Sequence, residues 1–404
     1  MELPALDVRT VAVDDPGALI EWALPSRPTA FLRSGDGIVG LGERLRLTAT
    51  GTGRTAALAA QWRDLADRAL VSDEVRLAGT GLVAFGSFAF SERSGDESAL
   101  IVPSVIVGRR DGRAWITTID GGMPVARAPL GAPPSAQLLP GAMTPEAFTA
   151  AVSAATAAIA DGRADKVVIA RDLRGSIPPD ADRRPVVARL AEAYPDTFAF
   201  AVDGLVGASP ETLVRVEGGD VSARVLAGTA ARWTDAATDV HAATSLAASP
   251  KNRSEHAMAV QSVLDTITPH ATDVTHTTPF ALRLPNLWHL ATDVRGSLVP
   301  GSTVLDLVAV LHPTAAVAGA PTDAALELIA ELEPSDRGRY AGPVGWVDGD
   351  GDGEWAIALR CATIGDEGTV TAWAGAGIVA DSDPEAELAE TALKFQPIVQ
   401  ALSR

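Results

Sequence analysis

The chain has 404 residues, 47% of them hydrophobic and 21% charged, which supports one large core or two moderate ones and excludes a disordered polypeptide. A formal net charge of −18 argues against nucleic acid and anionic membranes as partners, and means that an anionic substrate needs a locally positive pocket or a bound cation. The single cysteine, Cys361, rules out an internal disulfide, and neither a signal-peptide pattern nor about 18 uninterrupted apolar residues occurs, so a monomeric cytoplasmic enzyme is the expected setting.

Residues 1–140 read as an antiparallel region. Short apolar runs at Thr29–Leu32, Gly37–Leu47, Gly81–Phe90 and Ala99–Val107 alternate with turn clusters and are expected as strands. Gly51–Gly53 resembles a phosphate loop only loosely, because no Gly-Lys-Ser/Thr follows. Pro129–Gly141, rich in proline and small residues, is the linker candidate, and residues 141–404 form the second region.

In that region a helix is predicted from Thr144 and Pro145, as N-cap and first turn, to Ala160. Lys166 opens the strand KVVIAR, Thr197–Val202 and Gly204–Ala208 make a hairpin, and Glu211–Val216 leads into a further strand pair. Ser249 and Pro250 start a second helix with its apolar stripe at Val260, Val263, Leu264 and Ile267, and Glu255 lies off that stripe beside Lys251. Val304–Leu311 and Asp323–Leu332 have helical period, and Trp346–Asp348 with Trp355–Ile364 forms a hairpin around an Asp-Gly run. That run fails as a calcium loop because Leu359 stands where the closing glutamate belongs.

The stretch Ala372–Gln396 concentrates the chemistry. Gly375 and Gly377 are expected in a strand-to-helix turn that offers free N–H groups, and Asp383 and Pro384 read as N-cap and first helical residue. Glu387, Glu390 and Lys394 follow at spacings of three and four, so they share one helix face; by spacing alone this is either a solvated face or half of an anion and metal site. Lysine occurs only at Lys166, Lys251 and Lys394 among 33 Lys and Arg residues. Where arginine serves as the ordinary surface cation, a surviving lysine hints at chemistry a guanidinium cannot do, such as losing a proton.

The six histidines show no zinc spacing, and GASPE at Gly207–Glu211 fails the nucleophile elbow. What remains is carboxylates and lysines in apolar surroundings. Together the segments KVVIAR, GASPETLVRV, LAGTAAR, SPKNRSEH, HPTAAVAG, RYAGPVGW, IALR and GAGIVADSDPEAELAETALK, in this order, resemble the chorismate-utilising enzymes over roughly Thr144–Leu402, with a weaker echo in GLGERLRL.

The resemblance implies an α/β (α+β) fold of two large, mostly antiparallel sheets packed face to face with helices outside, in which 1–140 and 141–404 are intertwined halves of one unit. It also implies chorismate as a small-molecule substrate. Lys166 matches the lysine of water-activating members, Ala227 replaces the lysine of aminodeoxychorismate synthases, and Ala316 replaces the threonine associated with pyruvate elimination; Tyr340 occurs in both groups. Within the family these positions point to isochorismate formation, with salicylate formation as the alternative and a catalytically silent chorismate binder as a third reading.

By resemblance Lys166 is the base that activates water and Glu211 the acid that protonates the leaving hydroxyl. Glu255 and Glu390 match ligands of a Mg²⁺ ion, with Glu387 acting through water. Arg360 and Lys394 match positions that hold substrate carboxylates, N–H groups around Gly375, Gly377 and Thr229 add donors, and His289, Ala316 and Tyr340 line the pocket. Taken alone, Lys166 is equally a strand-start cation, Glu211 a turn carboxylate, Glu255 half of a surface pair with Lys251, and His289 a core histidine. Whether the product feeds menaquinone or a siderophore is left to pathway context.

Overall fold

The computed structural model describes residues 3–123, 126–283 and 287–403, without the side chains of Lys251, Glu255 and Leu287. Two sheets dominate it. The larger runs in space Leu139–Pro140, Lys166–Ser176, Thr369–Ile378, Cys361–Ile364, Leu205–Ser209, Phe198–Val202, Thr29–Arg33, Asp36–Leu41, Val105–Arg110, Arg113–Ile119, Asp7–Val13 and Leu70–Asp73. The second runs Ala271–His276, Leu287–Leu298, Asp220–Ala231, Thr212–Glu217, Gly353–Ile357, Pro343–Asp348, Val83–Ser87, Ser98–Val102 and Leu45–Ala49. Their ladders are antiparallel except where Asp7–Val13 runs parallel to Leu70–Asp73.

Alternation along the strands explains the packing. In Phe198–Val202 the large residues Phe198, Phe200 and Val202 enter the core shared with Phe85, Val214 and Trp355 of the second sheet. Ala199 and Ala201, one residue out of phase, face a separate layer with Val186, Val187 and Leu190 of helix Arg184–Ala193 and Phe395 and Ile398 of helix Pro384–Ala401. Large side chains thus fill the space between the sheets, and small ones let helices approach the outer face of the larger sheet. Among the described residues no helix is long and apolar enough to cross a membrane.

Several predicted strands prove to be two. Gly37–Leu47 divides into Asp36–Leu41 in the larger sheet and Leu45–Ala49 in the second, with Gly42 between them at a φ of +70°, open to glycine at little cost. Ala99–Val107 divides likewise around Pro103, which cannot donate to a ladder. Trp355–Ile364 divides into Gly353–Ile357 and Cys361–Ile364, again in different sheets. A continuous apolar run hides such a crossing, because residues on both sides of it are buried.

Three helices fall outside the sequence expectations: Arg54–Arg68, Arg184–Ala193 and Ala236–Ala248. The first follows the Gly51–Gly53 turn and buries Leu58, Trp62 and Leu65 at helical spacing. The Asp-Gly run is a hairpin turn, as expected, with Asp348 Oδ1 accepting from the backbone N–H groups of Asp350 and Asp352. Cys361 is a buried core residue.

Candidate active site

Two crossings between the sheets build the centre of the site. The chain leaves the larger sheet after Ser209, passes Pro210 and Glu211, and enters the second at Thr212; it returns from Ile357 through Ala358, Leu359 and Arg360 to Cys361. The crossings are hydrogen-bonded to each other: Ile357 N–H donates to Glu211 O (3.1 Å), Ser209 Oγ to Ile357 O (2.5 Å), and Ala208 N–H to Arg360 O (3.2 Å). Arg360 has a φ of +51°, a conformation that costs a non-glycine residue about 1–2 kcal/mol and persists where neighbours impose it. Glu211 and Arg360 are therefore delivered together, at the mouth between the two sheets.

A cavity of about 230 Å³ opens there. Lys166, Glu211, Thr229, His289, Ala316, Tyr340, Arg360, Gly375, Gly377, Glu387, Glu390 and Lys394 all line it, so every predicted site residue with a described side chain is brought to one place. Glu255 was predicted on the same evidence of spacing and motif; its backbone lies in helix Pro250–Ile267, and its side chain is outside the described residues.

One expectation is corrected. Gly375 and Gly377 do not form a turn: they lie inside strand Thr369–Ile378, paired with Ala170 and Val168, and the chain turns only after Ile378. They are glycine for lack of space, since a Cβ at Gly377 would stand 2.9 Å from Lys166 Cε, and one at Gly375 would stand 3.1 Å from Tyr340 Oη and from Ile169 O. The strand pair carries Lys166 and leaves room for its side chain and for Tyr340, whose ring stacks on Trp373 at 5.8 Å.

Helix Pro384–Ala401 begins as expected, with Asp383 Oδ1 accepting from Ala386 N–H at 2.8 Å. Its shared face points into the cavity. Lys394 Nζ donates to Gly375 O (2.8 Å) and pairs with Glu390 Oε1 (2.6 Å), so the i,i+4 ion pair forms and lines the cavity instead of a solvated face. Ser382 Oγ donates to Glu387 Oε1 at 2.7 Å.

Electrostatics separate the buried Glu211 from the half-buried Glu390. Burial is the dominant influence on Glu211 and pushes it up to about 7, against the pull of Lys166, Arg360 and Lys394. Burial also acts on Glu390, but there Lys394 and Arg360 outweigh it and hold the carboxyl below its ordinary range. His289 is pushed down to about 3 by burial first, then by the Arg360 and Lys394 charges, so it is neutral at pH 7. Its Nδ1 lies 3.3 Å from Gly228 O, which can only accept, and 3.1 Å from Thr229 Oγ1; the proton therefore sits on Nδ1 and Nε2 is an acceptor.

An ion pair that the sequence reading passed over secures the Lys166 wall. Between Val167 and Leu173 that strand has no strand neighbour on its outer edge among the described residues, and side chains replace one: Arg337 Nη2 donates to Val168 O (2.7 Å) while Glu333 Oε1 accepts from Ala170 N–H (2.8 Å). Arg337 Nη1 also donates to Val317 O (2.9 Å), tying the Ala316–Val317 segment to the same edge. The pair itself is 2.5 Å apart with side chains 2% and 3% exposed. Spacing gave no signal for it, because Glu333 caps the end of helix Thr322–Leu332 and Arg337 lies beyond it, where residues four apart share no helix face.

A cleft lined by Lys166, Arg360 and Lys394, a neutral histidine and two carboxyls with pKa values shifted in opposite directions has the makings of acid–base chemistry on a small anionic ligand. The architecture matches solved chorismate-utilising enzymes: the menaquinone-specific isochorismate synthase MenF of Escherichia coli superposes with a TM-score of 0.80 at 26% identity, covering 100% of this chain and 96% of that one. The isochorismate synthase DhbC of Bacillus subtilis (strain 168) is 38% identical over 271 residues, 64% of this chain and 68% of the relative. A candidate isochorismate synthase MenF of Mycobacterium tuberculosis (strain ATCC 25618 / H37Rv) is 39% identical over 339 residues, 80% of this chain and 87% of the relative. Residues 128–403 match the family model described as chorismate binding enzyme. The chain belongs to the chorismate-binding enzyme family.

Proposed function

We propose that this enzyme is an isochorismate synthase: it adds water at C2 of chorismate as the C4 hydroxyl leaves and the ring double bonds shift. The observation that carries this reading is the company of Glu211. A carboxyl pushed up to about 7 holds a proton near neutrality and shares its cavity with Lys166. Lys166 takes a proton from the attacking water, and Glu211 gives its proton to the departing C4 oxygen, which leaves as water. Arg360 and Lys394 orient the substrate carboxylates through charge-assisted hydrogen bonds. His289, fixed by Gly228 and Thr229, presents Nε2 as an acceptor toward the cavity.

Magnesium suits this donor set. It binds one or two carboxylates and completes its shell with substrate oxygens and water, and Glu387 and Glu390 offer carboxylate oxygens on one helix face. Among the described residues no group of three His, Cys, Asp or Glu stands ready for an ion, and by resemblance Glu255 would add a carboxylate to the set. When bound, the ion neutralises a substrate carboxylate.

The test is incubation of the protein with chorismate and Mg²⁺. An isomer of unchanged mass is the expected product; recovery of chorismate alone overturns the proposal, and free pyruvate shifts it to salicylate formation. The Lys166→Ala variant should lose about 10²–10⁴-fold in kcat, and wild-type turnover would exclude Lys166 as the base.

A further inference from the structure

Behind Glu211, on the side away from the main cavity, lies a second and much smaller chamber. Its space is about 20 Å³, which suits one water molecule. Its polar lining comes from Glu211, Thr212, Arg224 and Thr314, and the rest is apolar, including Leu213, Val225, Ala259, Val263 and Leu311. Among the described residues only Glu211 and Ala316 line both this chamber and the main cavity.

Two independent features point to an occupant. Thr314 Oγ1 is buried and makes no hydrogen bond with any described residue, a condition that costs about 1–3 kcal/mol unless an ordered water meets it. Arg224 turns its Nε and Nη2 to Asp293, at 2.6 and 2.9 Å, and makes no hydrogen bond with Thr314 Oγ1. Glu211 is itself buried and lines both spaces. A buried hydroxyl and a buried carboxyl on the wall of a water-sized chamber supply the polar contacts that an internal water needs.

We propose that the chamber holds a structural water bridging Thr314 Oγ1 and the rear oxygen of Glu211, and that Thr314 is thereby a positioning residue for the acid. The water donates one hydrogen to the rear oxygen of Glu211, so that the front oxygen carries the proton and presents it to the substrate. It accepts the Thr314 hydroxyl hydrogen. After Glu211 releases its proton to the leaving oxygen, the same water stabilises the carboxylate that remains. No net proton passes through the chamber.

The proposal rests on the acid role of Glu211 proposed above, and its test keeps the two apart. Thr314→Val preserves shape and removes the hydroxyl. Its expected effect is a fall in kcat of about tenfold with KM within about twofold, and a shift of the alkaline limb of kcat to higher pH, because the carboxylate loses a donor. The charges that set this limb from the front, Lys166, Arg360 and Lys394, and Arg224 at the rear, are unchanged in the variant. Thr314→Ser should restore kcat to within about threefold of wild type and return the limb to its place. A crystal structure of the wild-type protein should show an ordered water between Thr314 Oγ1 and Glu211, lost in Thr314→Val. Absence of that water, or a Thr314→Val variant with the wild-type kcat and pH profile, overturns the proposal. A wild-type protein that leaves chorismate unchanged but holds the water sinks the functional reading and leaves the bridge standing.

Discussion

Glu211 and Glu390 line the same cavity within reach of the same cations, yet their surroundings drive them to opposite protonation states. Glu211 sits at a crossing between sheets, 7% exposed, where it lies near cations but forms no ion pair with a described residue; desolvation prevails and raises it to about 7. Glu390 sits on a helix one turn before Lys394, whose ammonium is 2.6 Å away, and the contact outweighs burial. Proximity of charge alone does not decide ionisation. A cation in contact with one carboxyl and set back from the other moves the pKa values of two glutamates in one cavity in opposite directions.

That contrast can be broken in several ways. Glu211→Gln keeps the volume and removes the titrating proton; kcat for chorismate should fall about 10²–10⁴-fold, and the alkaline limb should vanish from the pH–rate profile. In the wild type that limb should fall as pH rises through about 7, since Glu211 acts in its protonated form and loses the proton above that point. A limb that survives in Glu211→Gln would assign it to another group.

Removing Arg337 attacks the wall opposite. Arg337→Met leaves the Glu333 charge buried without its partner, and the expected cost is about 3–5 kcal/mol, read as a lowered denaturant midpoint. Pairing it with Glu333→Leu should recover much of that stability, while kcat stays low because Val168 O and Ala170 N–H lose the side chains that replace a neighbouring strand. Full recovery of kcat in the double variant would show the pair to be structural only.

Lys394→Met removes what holds Glu390 ionised. The Glu390 carboxyl should rise with burial unopposed at contact, and KM for chorismate and the Mg²⁺ requirement should both increase by about tenfold, checked by kinetics across a metal titration. Smallest of all should be Ser382→Ala, which frees Glu387 from one hydrogen bond and should change activity only about two- to threefold. A large loss there would raise Glu387 from a water-mediated to a direct role.

How far the chain disclosed this site varies with distance along it. The Glu387, Glu390 and Lys394 face and the Asp383 cap were legible because they depend on i,i+3 and i,i+4 geometry, and the folded helix keeps it. Gly375 and Gly377 were misread as a turn because their reason lies elsewhere, in the room that Lys166 and Tyr340 need across a ladder some 200 residues away in sequence. Helix Arg54–Arg68 was missed although Leu58, Trp62 and Leu65 carry its period, because its neighbours read as strands. The motifs located Glu211 and Arg360, but neither showed that each stands where the backbone changes sheets; a run such as WAIALRCATI is apolar on both sides of that change.

Those changes of sheet bear on whether any portion of the chain can live alone. A truncation starting near residue 141 would strip Thr29–Arg33 from Phe198–Val202 and Val83–Ser87 from Pro343–Asp348, leaving two long apolar strands with bare backbone edges. Such edges are templates for intermolecular pairing. Insolubility of that fragment, cured by supplying residues 1–140 as a separate polypeptide during refolding, would mark the early segment as a scaffold for a site that none of its described residues lines.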